Sequence, residues 1–554
     1  MIRDRHARRK AVESEMVKKL VAATTACATA FLWLSASQAF AATGCAGASV
    51  DGPAPQTPTC FGTMFPQLPA FHYTDQASAD LAATMNNPAP DAPGIDRGTA
   101  DDSATLPAEY TYLGQFIDHN LDFDQTPQPT ADVNPSSLNN FESFRFDLNN
   151  VFGGGPSVDP QMYASDRTHL LVTGRLGTPQ ADGFPTVTAS RKSMFDLARN
   201  GSGGAILVEP RDDENQILSQ ISAAFMAFYN DLVDQGNSYA QARQLTEDYY
   251  QEIVLTDVLP AYVGQDTINK YLSFAPDGQA RVNTPDLPNA NFTPIEFSVG
   301  AYRFGHSLVR QDYHINDIDP TTSDIDDNVA IFDVNNFQSG DLSGGGPLPG
   351  PSQPGGSTCT ATTVCTQPDP AGHQVQWKYF VPGLNAKPND PGINFARKTQ
   401  TTISPALFNL PAETIAGCTD AVSPVCNGTG DLIARDFARG NYDGLASGQD
   451  IARALGCPVI PAASINPTQD AVFNTATPLL YYVLAEAQRS GQTLGCVGAN
   501  IVAQTFVQVL WDTPNSILHT NFRPDPSLVK LAPETPTFSF GDLLVDAELA
   551  PRTS

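Results

Sequence analysis

Positive charge is scarce in this sequence. Its 554 residues include 31 Lys and Arg against 59 Asp and Glu, which gives a formal net charge of −28. Without residues 1–41, a predicted leader, 24 basic residues face 56 acidic ones and the net charge is −32. Proteins that bind nucleic acid neutralise its phosphates with Lys and Arg. The deficit therefore nearly excludes nucleic acid as a partner.

Long apolar runs are also missing, except at the N-terminus. There, seven basic residues precede an apolar run from Leu20 to Phe40, which ends in Ala39-Phe40-Ala41. This order predicts a secretory signal cut after Ala41, with a membrane anchor as the alternative. No other stretch is apolar enough to span a bilayer. The sequence thus predicts a secreted protein, periplasmic or extracellular, without a stable membrane span.

The cysteine spacing does not match a tetrahedral zinc site. Nine cysteines are present, and eight remain outside the predicted leader, which contains Cys27. An oxidising compartment favours disulfides. The order along the chain suggests local pairs, namely 45 with 60, 359 with 365, 418 with 426, and 457 with 496. Eight cysteines allow about 105 pairings, so the connectivity stays open.

Long alternating strands are scarce, and helical periodicity is common instead. Apolar residues recur at three- and four-residue steps between 217 and 232, which is the period of one buried helix face. Weaker stripes of the same kind follow at 241–256, 401–415 and 499–511. Together with 45 prolines and no internal repeat, this pattern predicts a mainly α, large single-domain fold with long loops and little β-structure.

The predicted organisation has three parts. Residues 1–41 are the signal peptide, 42–104 an irregular N-terminal arm, and 105–550 one large domain. Within that domain, residues 338–370 form a flexible insertion, because the stretch from Gly340 to Thr358 is rich in Gly and Pro.

The stretch TYLGQFIDHNLDFD, residues 111–124, contains the first candidate site residues. Gln115 and His119 are four residues apart, so on a helix they share a face and project into one pocket. Asp118 precedes the histidine directly. A single histidine is more often a structural side chain, and that alternative stays open here.

Two further stretches contain chemically suitable side chains. VEPRDDENQILSQ places Arg211 and Glu214 three residues apart at the start of a predicted helix, where acidic residues are often no more than partners of the helix dipole. FSVGAYRFGHSLVR places Arg303 and His306 in an apolar context. Gly305 beside the histidine would let another surface approach the backbone closely.

Taken together, these stretches resemble the animal-type haem peroxidases of the peroxidase-cyclooxygenase superfamily. The resemblance runs in order from about residue 105 to 545 and rests on residues 114–119, Arg211 with Glu214, and residues 303–306. Residues 396–411 and 439–449 are similar to further family segments. These motifs follow one another in the family's order over more than 300 residues, which chance does not explain.

The resemblance implies a haem b and a role for each motif residue. His119 would move the proton of the peroxide, since imidazole has an ordinary pKa of about 6.5. Arg211 would stabilise charge on the departing oxygen, and Gln115 would hold the distal water or a small anion. His306 would bind the haem iron.

On the same side as His306, the resemblance implies two supporting residues. Arg303 would pair with a haem propionate or, as the alternative, with a nearby carboxylate. Gln449 stands where the family usually has an Asn that accepts the N–H of the iron-binding histidine, and its amide oxygen has the same acceptor chemistry.

Two carboxylates near a haem are costly to bury unless they are paired or consumed. The family esterifies such carboxylates to haem methyl groups, and Asp118 and Glu214 stand at both matching positions. The resemblance thus predicts a covalently attached haem. Asn215 follows the ester glutamate where some members have a sulfonium-forming methionine, so that third link is not expected.

A calcium ion is also implied by the resemblance, because the family binds one beside the distal histidine. All matching residues offer oxygen, the donor that calcium prefers. They are Asn120, Ser143, Arg145 through its carbonyl, Asp147 and Asn149. Asn120 replaces a carboxylate, and the alternative is an Asn/Asp turn that satisfies its own backbone.

The expected function is reduction of hydrogen peroxide with oxidation of halide, pseudohalide or small phenolic donors. A fatty-acid dioxygenase is one alternative, although the tyrosine it needs would stand at position 303, where this chain has Arg303 beside Tyr302. The other is a non-catalytic exported adhesion protein, which would not need His119, Arg211, Glu214 and His306 together. The oligomeric state is not indicated.

Overall fold

The structure is a computed structural model that describes most of the chain from residue 59 to 550. The described ranges are 59–86, 101–126, 128–172, 197–198, 205–287, 292–314, 328–330, 375–384, 393–408, 410, 430–532 and 537–550. The predicted signal peptide, the Gly/Pro-rich insertion at 338–370 and the cysteine pairs 359–365 and 418–426 all lie outside these residues.

The fold is mainly α, as the sequence predicts. The helices are α1 (Asp75–Met85), α2 (Glu109–Leu121), α3 (Asn149–Phe152), α4 (Gln216–Asp234), α5 (Tyr239–Ile253), α6 (Leu259–Val263), α7 (Gln265–Tyr271), α8 (Gly305–Leu308), α9 (Leu432–Tyr442), α10 (Gly448–Ala454), α11 (Leu479–Ser490), α12 (Cys496–Asp512), α13 (Ile517–Thr520) and α14 (Phe540–Asp546). A π-helix at Val254–Val258 joins α5 to α6. None of the helices in the described ranges is long and apolar enough to cross a membrane.

Strands are short and lie between helices. They are β1 (Thr59–Gly62), β2 (Asp102–Pro107), β3 (Asn139–Asn140), β4 (Leu272–Phe274), β5 (Ala280–Val282), β6 (Thr293–Pro294), β7 (Asp312–His314), β8 (Asn328–Ala330) and β9 (Phe395–Arg397). One sheet has the order β3-β1-β6, with β1 antiparallel to β3 and parallel to β6. The other pairs, β2–β9, β4–β5 and β7–β8, are antiparallel.

Helix α4 lies in the core, since 16 of its 19 residues are buried. The predicted stripe is confirmed, and its members are all buried: Ile217, Ile221, Ala224, Phe225, Phe228 and Leu232. Asn215 begins the helix by accepting the N–H of Leu218 at its side-chain oxygen. Phe225 stacks on Phe116 of α2 with ring centroids 4.9 Å apart. This contact fixes α2, which contains four of the predicted site residues, against α4.

Three short helices in succession lead to the second predicted histidine. A π-helix at Glu296–Gly300 is followed by a 3-10 helix at Ala301–Phe304 and then by α8. The buried Glu296 carboxylate anchors the start of this segment by accepting the N–H groups of Met64 and Phe65 at 2.9 and 3.2 Å. Irregular helix of this kind often marks functional sites, and here it contains Arg303 and His306.

Some expectations for individual segments need revision. The arm at 42–104 is not irregular throughout, since its described part contains β1, α1 and the start of β2. Helix α1 buries Leu81, Ala82 and Met85, which gives it a stable packing face. The stripe at 401–415 shows only a 3-10 helix, Pro405–Phe408, in its described part.

One predicted disulfide is confirmed. Cys457 and Cys496 are bonded, with Cα atoms 5.9 Å apart, and the bond ties the segment after α10 to the start of α12. Cys60 is also disulfide-bonded, while Cys45, its predicted partner, lies outside the described residues.

Candidate active site

A cavity of about 230 Å³ collects the residues that the sequence singled out. Helix α2 contributes Gln115, Asp118 and His119, the turn before α4 contributes Arg211 and Glu214, and the segment before β7 contributes Arg303 and His306. The rest of the lining is largely apolar or aromatic, and it includes Tyr262, Tyr302, Phe304, Val309, Leu407, Leu410 and Leu432. Three distant parts of the sequence thus meet at one site.

His119 is buried and held by a carboxylate. Its Nδ1 atom lies 2.8 Å from Oδ1 of Asp212, an aspartate whose side chain is fully buried. Burial, together with the positive charges of Arg211 and Arg303, holds the pKa of His119 well below its ordinary value. The imidazole is therefore kept out of its doubly protonated form, as a proton acceptor requires.

Arg211 is fixed by a bidentate ion pair. Its Nε and Nη2 groups donate to Oε1 and Oε2 of the buried Glu209 at 3.0 and 2.8 Å. Nη2 also donates to the carbonyl of Asp122 at 2.7 Å, and the guanidinium lies over the ring of Phe123, 4.2 Å from its centroid. These contacts pre-orient the charge, which is what stabilisation of a developing anion demands.

Gln115 forms two hydrogen bonds along the cavity wall. Its Nε2 donates to Glu214 Oε2 at 3.1 Å, and its Oε1 accepts from Asn215 Nδ2 at 3.0 Å. Burial raises the pKa of Glu214 to about 7, against the opposing effect of Arg211. The side chains of Gln115 and Glu214 are therefore held by each other.

Asp118 meets Arg303 inside the cavity. Arg303 Nη1 lies 3.4 Å from Asp118 Oδ2, and Nη2 lies 3.9 Å from Asp122 Oδ1. Arg303 is thus paired with nearby carboxylates, the alternative that the sequence left open. The other oxygen of Asp118, Oδ1, is buried and accepts no hydrogen bond from the described residues.

His306 is held by a carboxylate that the sequence argument missed. Its Nδ1 lies 2.7 Å from Oδ2 of Asp436, on helix α9. The expectation that Gln449 accepts this N–H is wrong. Gln449 instead donates to Thr477 Oγ1 at 2.8 Å and accepts the N–H of Thr477 at 2.9 Å. Its amide group on α10 is therefore bonded to Thr477 and not to His306.

The residues present fit a haem. His306 has one ring nitrogen fixed by Asp436, which leaves Nε2 for a metal and follows the usual support of metal-binding histidines. A side chain added at Gly305 would meet nothing within 4 Å, so open space borders the backbone beside His306. The unpartnered Asp118 oxygen is a further polar atom that a ligand in this cavity would reach.

The residues predicted for calcium form a hydrogen-bonded cluster. Asn120 Nδ2 donates to Asn149 Oδ1 at 2.7 Å and to Asp147 Oδ1 at 3.4 Å. Ser143 Oγ donates to the same Asp147 oxygen at 3.0 Å. An amide N–H therefore points at the oxygens that would face the ion, and Asp147 supplies the single carboxylate of the predicted set.

These hydrogen bonds disfavour calcium at Asn120, Ser143, Arg145, Asp147 and Asn149, and the calcium assignment stays a prediction. Asn120 and Ser143 fill the Asp147 carboxylate with hydrogen bonds. Across the described ranges, no group of three or more His, Cys, Asp or Glu side chains is placed to hold a metal ion.

Two residues that sequence reasoning overlooked complete the site. Asp212 was interpreted only as a partner of the helix dipole, and Asp436 was not considered. In the structure, Asp436 lies on the helix that also places Leu432 and Arg435 at the cavity. No signal in the sequence marks either aspartate, and Asp212 has the same residue type as the adjacent Asp213.

Comparison with known proteins agrees with this geometry. Residues 217–343 match the family model described as Animal haem peroxidase. No curated protein matches the chain significantly.

Among solved structures, Peroxidase A from Dictyostelium discoideum matches with a TM-score of 0.50 at 15% identity, covering 90% of this chain and 96% of that one. A fatty acid alpha-dioxygenase from Oryza sativa matches with a TM-score of 0.49 at 13% identity, covering 90% of this chain and 80% of that one. At such identities the likeness to the first structure shows a shared fold.

Proposed function

We propose that this chain, whose residues 217–343 match the animal haem peroxidase family model, is an exported peroxidase that reduces hydrogen peroxide and oxidises small donors. The observation that supports this most directly is a pair of histidines in one cavity, each hydrogen-bonded to an aspartate. His119 is bonded to Asp212, and His306 is bonded to Asp436. Each histidine therefore has one ring nitrogen engaged and one left for chemistry.

The residues of the chain divide the work of peroxide cleavage. A bound haem supplies the iron and the electrons that reduce the peroxide. His119 accepts the proton of one peroxide oxygen at Nε2 and returns it to the other oxygen, which leaves as water. Arg211, fixed by Glu209, presents its guanidinium to the charge on the departing oxygen. His306 would hold the iron, with Asp436 fixing its ring.

Asp118 and Glu214 would attach the haem covalently as esters. Each ester replaces one C–H bond of a haem methyl group by a C–O bond, and hydrogen peroxide takes up the two electrons and is reduced to two water molecules. Both line the cavity, and the unpartnered Asp118 oxygen favours reaction over a permanent buried charge. The pKa of about 7 leaves much of Glu214 uncharged near neutral pH, so its burial is tolerated before attachment. The hydrogen bonds of Asn120 to Asp147 and Asn149 disfavour calcium as a second bound ion.

The electron donor is proposed as a halide, a pseudohalide or a small phenol. Arg211 and Arg303 place two guanidinium groups at the cavity, each paired with a carboxylate, although the protein as a whole is strongly acidic. Leucines 407, 410 and 432 give it an apolar wall, which suits an aromatic ring. Both kinds of donor therefore have a structural argument.

The test begins with the visible spectrum of the purified protein after haem supplementation. A Soret band is expected, followed by peroxide-dependent oxidation of at least one donor from bromide, iodide, thiocyanate and guaiacol. His119→Ala should abolish turnover. His519→Ala, at an exposed histidine bonded to the Trp511 carbonyl, is the matched control and should not. A colourless protein would favour the adhesion alternative.

A fatty-acid dioxygenase is a second candidate because of Tyr302. This residue lines the cavity, and its hydroxyl donates to the Gly114 carbonyl at 3.3 Å. A cavity-facing tyrosine beside a haem could pass an oxidising equivalent to a lipid. Oxygen uptake with linoleate in the absence of peroxide, lost in Tyr302→Phe, would decide for this function and against the peroxidase.

A further inference from the structure

Both carboxylate oxygens of Asp212 are hydrogen-bonded. Its Oδ2 accepts from Asn150 Nδ2 of α3 and from Ser222 Oγ of α4, each at 3.0 Å. Its Oδ1 faces His119 Nδ1 of α2 at 2.8 Å. Three separate helices thus fix one side chain that is fully shielded from solvent.

Burial of the Asp212 carboxylate costs free energy of folding, which points to a functional role for this side chain. A buried carboxylate needs hydrogen-bond donors to offset its lost hydration, and this one receives two from neutral side chains. Those two donors occupy Oδ2, so Oδ1 alone is directed at the imidazole. Because a histidine ring is planar, a hydrogen bond to Nδ1 fixes both the direction of Nε2 and the position of the ring proton.

We propose that Asp212 is the positioning residue of the distal histidine, accepting the N–H at Nδ1 so that the unprotonated Nε2 faces the cavity. The proposal rests on the proposed peroxidase function for its catalytic meaning. If His119 carried its proton on Nε2 instead, it could not accept the peroxide proton. By keeping the ring proton on Nδ1, Asp212 allows Nε2 of His119 to act as a base.

The electrostatic surroundings of this pair also matter. Burial and the neighbouring Glu209 raise the pKa of Asp212 well above its ordinary value, and the smaller effects of Ser222, Arg211 and Asn150 act in the opposite direction. Burial, followed by Arg211 and Arg303, holds the pKa of His119 well below its ordinary value. Arg211 thus favours both a charged aspartate and a neutral imidazole, and the hydrogen bonds from Asn150 and Ser222 to Oδ2 leave Oδ1 as the acceptor for Nδ1.

The first test is the reaction of the haem-loaded protein with peroxide and with cyanide. Hydrogen cyanide must give up its proton as it binds, so its association rate also reports on the distal base. Asp212→Ala should lower both the cyanide association rate and kcat/KM for peroxide by about 10²-fold, the lower range for general-base catalysis. Asp212→Asn retains an acceptor oxygen for Nδ1 and should recover a substantial part of the loss.

Two further variants serve as controls for this test. Asp248→Asn removes another buried carboxylate, one bonded to Gln244 on α5, and should leave both rates unchanged. Ser222→Ala removes a single donor to Asp212 and should give a smaller loss in the same direction. It remains informative if Asp212→Ala does not fold.

The second test measures the tautomer directly, by ¹⁵N NMR of the ferrous carbon-monoxide form, which is diamagnetic. His119 should carry its proton on Nδ1, and Asp212→Ala should move the signal toward the Nε2 tautomer. Unchanged rates and an unchanged tautomer in Asp212→Ala would overturn the proposal. If the protein binds no haem or turns over no peroxide, the proposed function fails, and the same spectrum of the protein as purified still decides the role of Asp212.

Discussion

Replacing Asn120 by Asp should turn a hydrogen-bonded cluster into a calcium-dependent one. The change removes the amide that donates to Asp147 and Asn149 and places a second carboxylate in the cluster. At the 3.4 Å that separates Asn120 Nδ2 from Asp147 Oδ1, two unit charges repel by about 5 kcal/mol at an effective dielectric constant near 20. The two lost hydrogen bonds add about 1 kcal/mol each.

The net loss should be smaller than this sum, because a carboxylate pair can share a proton. We expect the free energy of unfolding to fall by about 3 kcal/mol without calcium. The loop itself depends on the cluster, since Phe144 and Leu148 have φ angles of 51° and 50°. Left-handed backbone at such residues costs about 1–2 kcal/mol each, so the loop needs its stabilising contacts.

Calcium should restore what the substitution removes. The variant offers two carboxylates, the Asn149 amide oxygen and the Ser143 hydroxyl, and a calcium concentration 100-fold above its Kd would add about 2.7 kcal/mol. The assay is chemical denaturation in EDTA and in calcium. Wild type should give the same curve in both, and Asn120→Ala, which adds no carboxylate, should be weakened equally in both. Calcium stabilisation of wild type, or none in Asn120→Asp, would refute the reasoning.

Three further predictions concern the cavity and the core. Asp436→Asn should raise the iron reduction potential in a spectroelectrochemical titration, because a carboxylate makes His306 a stronger ligand. Each tenfold change in the relative stability of the two iron states corresponds to about 59 mV. An unchanged potential would contradict this role of Asp436. After peroxide treatment, acid-acetone extraction should leave haem attached to wild type and release all of it from the double variant Asp118→Asn with Glu214→Gln, whereas complete release from wild type would exclude the esters. Cys457→Ser should lower the free energy of unfolding by about 4 kcal/mol, from the loop of 39 residues that the disulfide closes, and a denaturation curve that matches wild type would show that the bond contributes no stability.

Local patterns in the sequence were enough to predict the principal helices of the site. The stripe from Ile217 to Leu232 is buried on α4, and Gln115 and His119 do share one helix that lines the cavity. Such patterns are reliable because helical periodicity depends on neighbours three and four residues away. The stripe at 401–415 was less informative, since only a 3-10 helix is found in its described part.

The partners of the two histidines were not predictable in the same way. His119 and Asp212 are 93 residues apart in the chain, and His306 and Asp436 are 130 apart. Gln449 was a chemically suitable acceptor, but α10 directs it at Thr477. Residue type alone could not distinguish these candidates, because the direction of a hydrogen bond depends on how the helices pack.

The calcium cluster shows the same division. The resemblance indicated which oxygen-bearing side chains would gather beside α2. Only the tertiary structure decided that the Asn120 amide donates to Asn149 and Asp147. The sequence by itself determined the residues available for chemistry at both sites. The packing of distant helices decided which atoms face each other, because a hydrogen bond forms only when donor and acceptor lie about 3 Å apart.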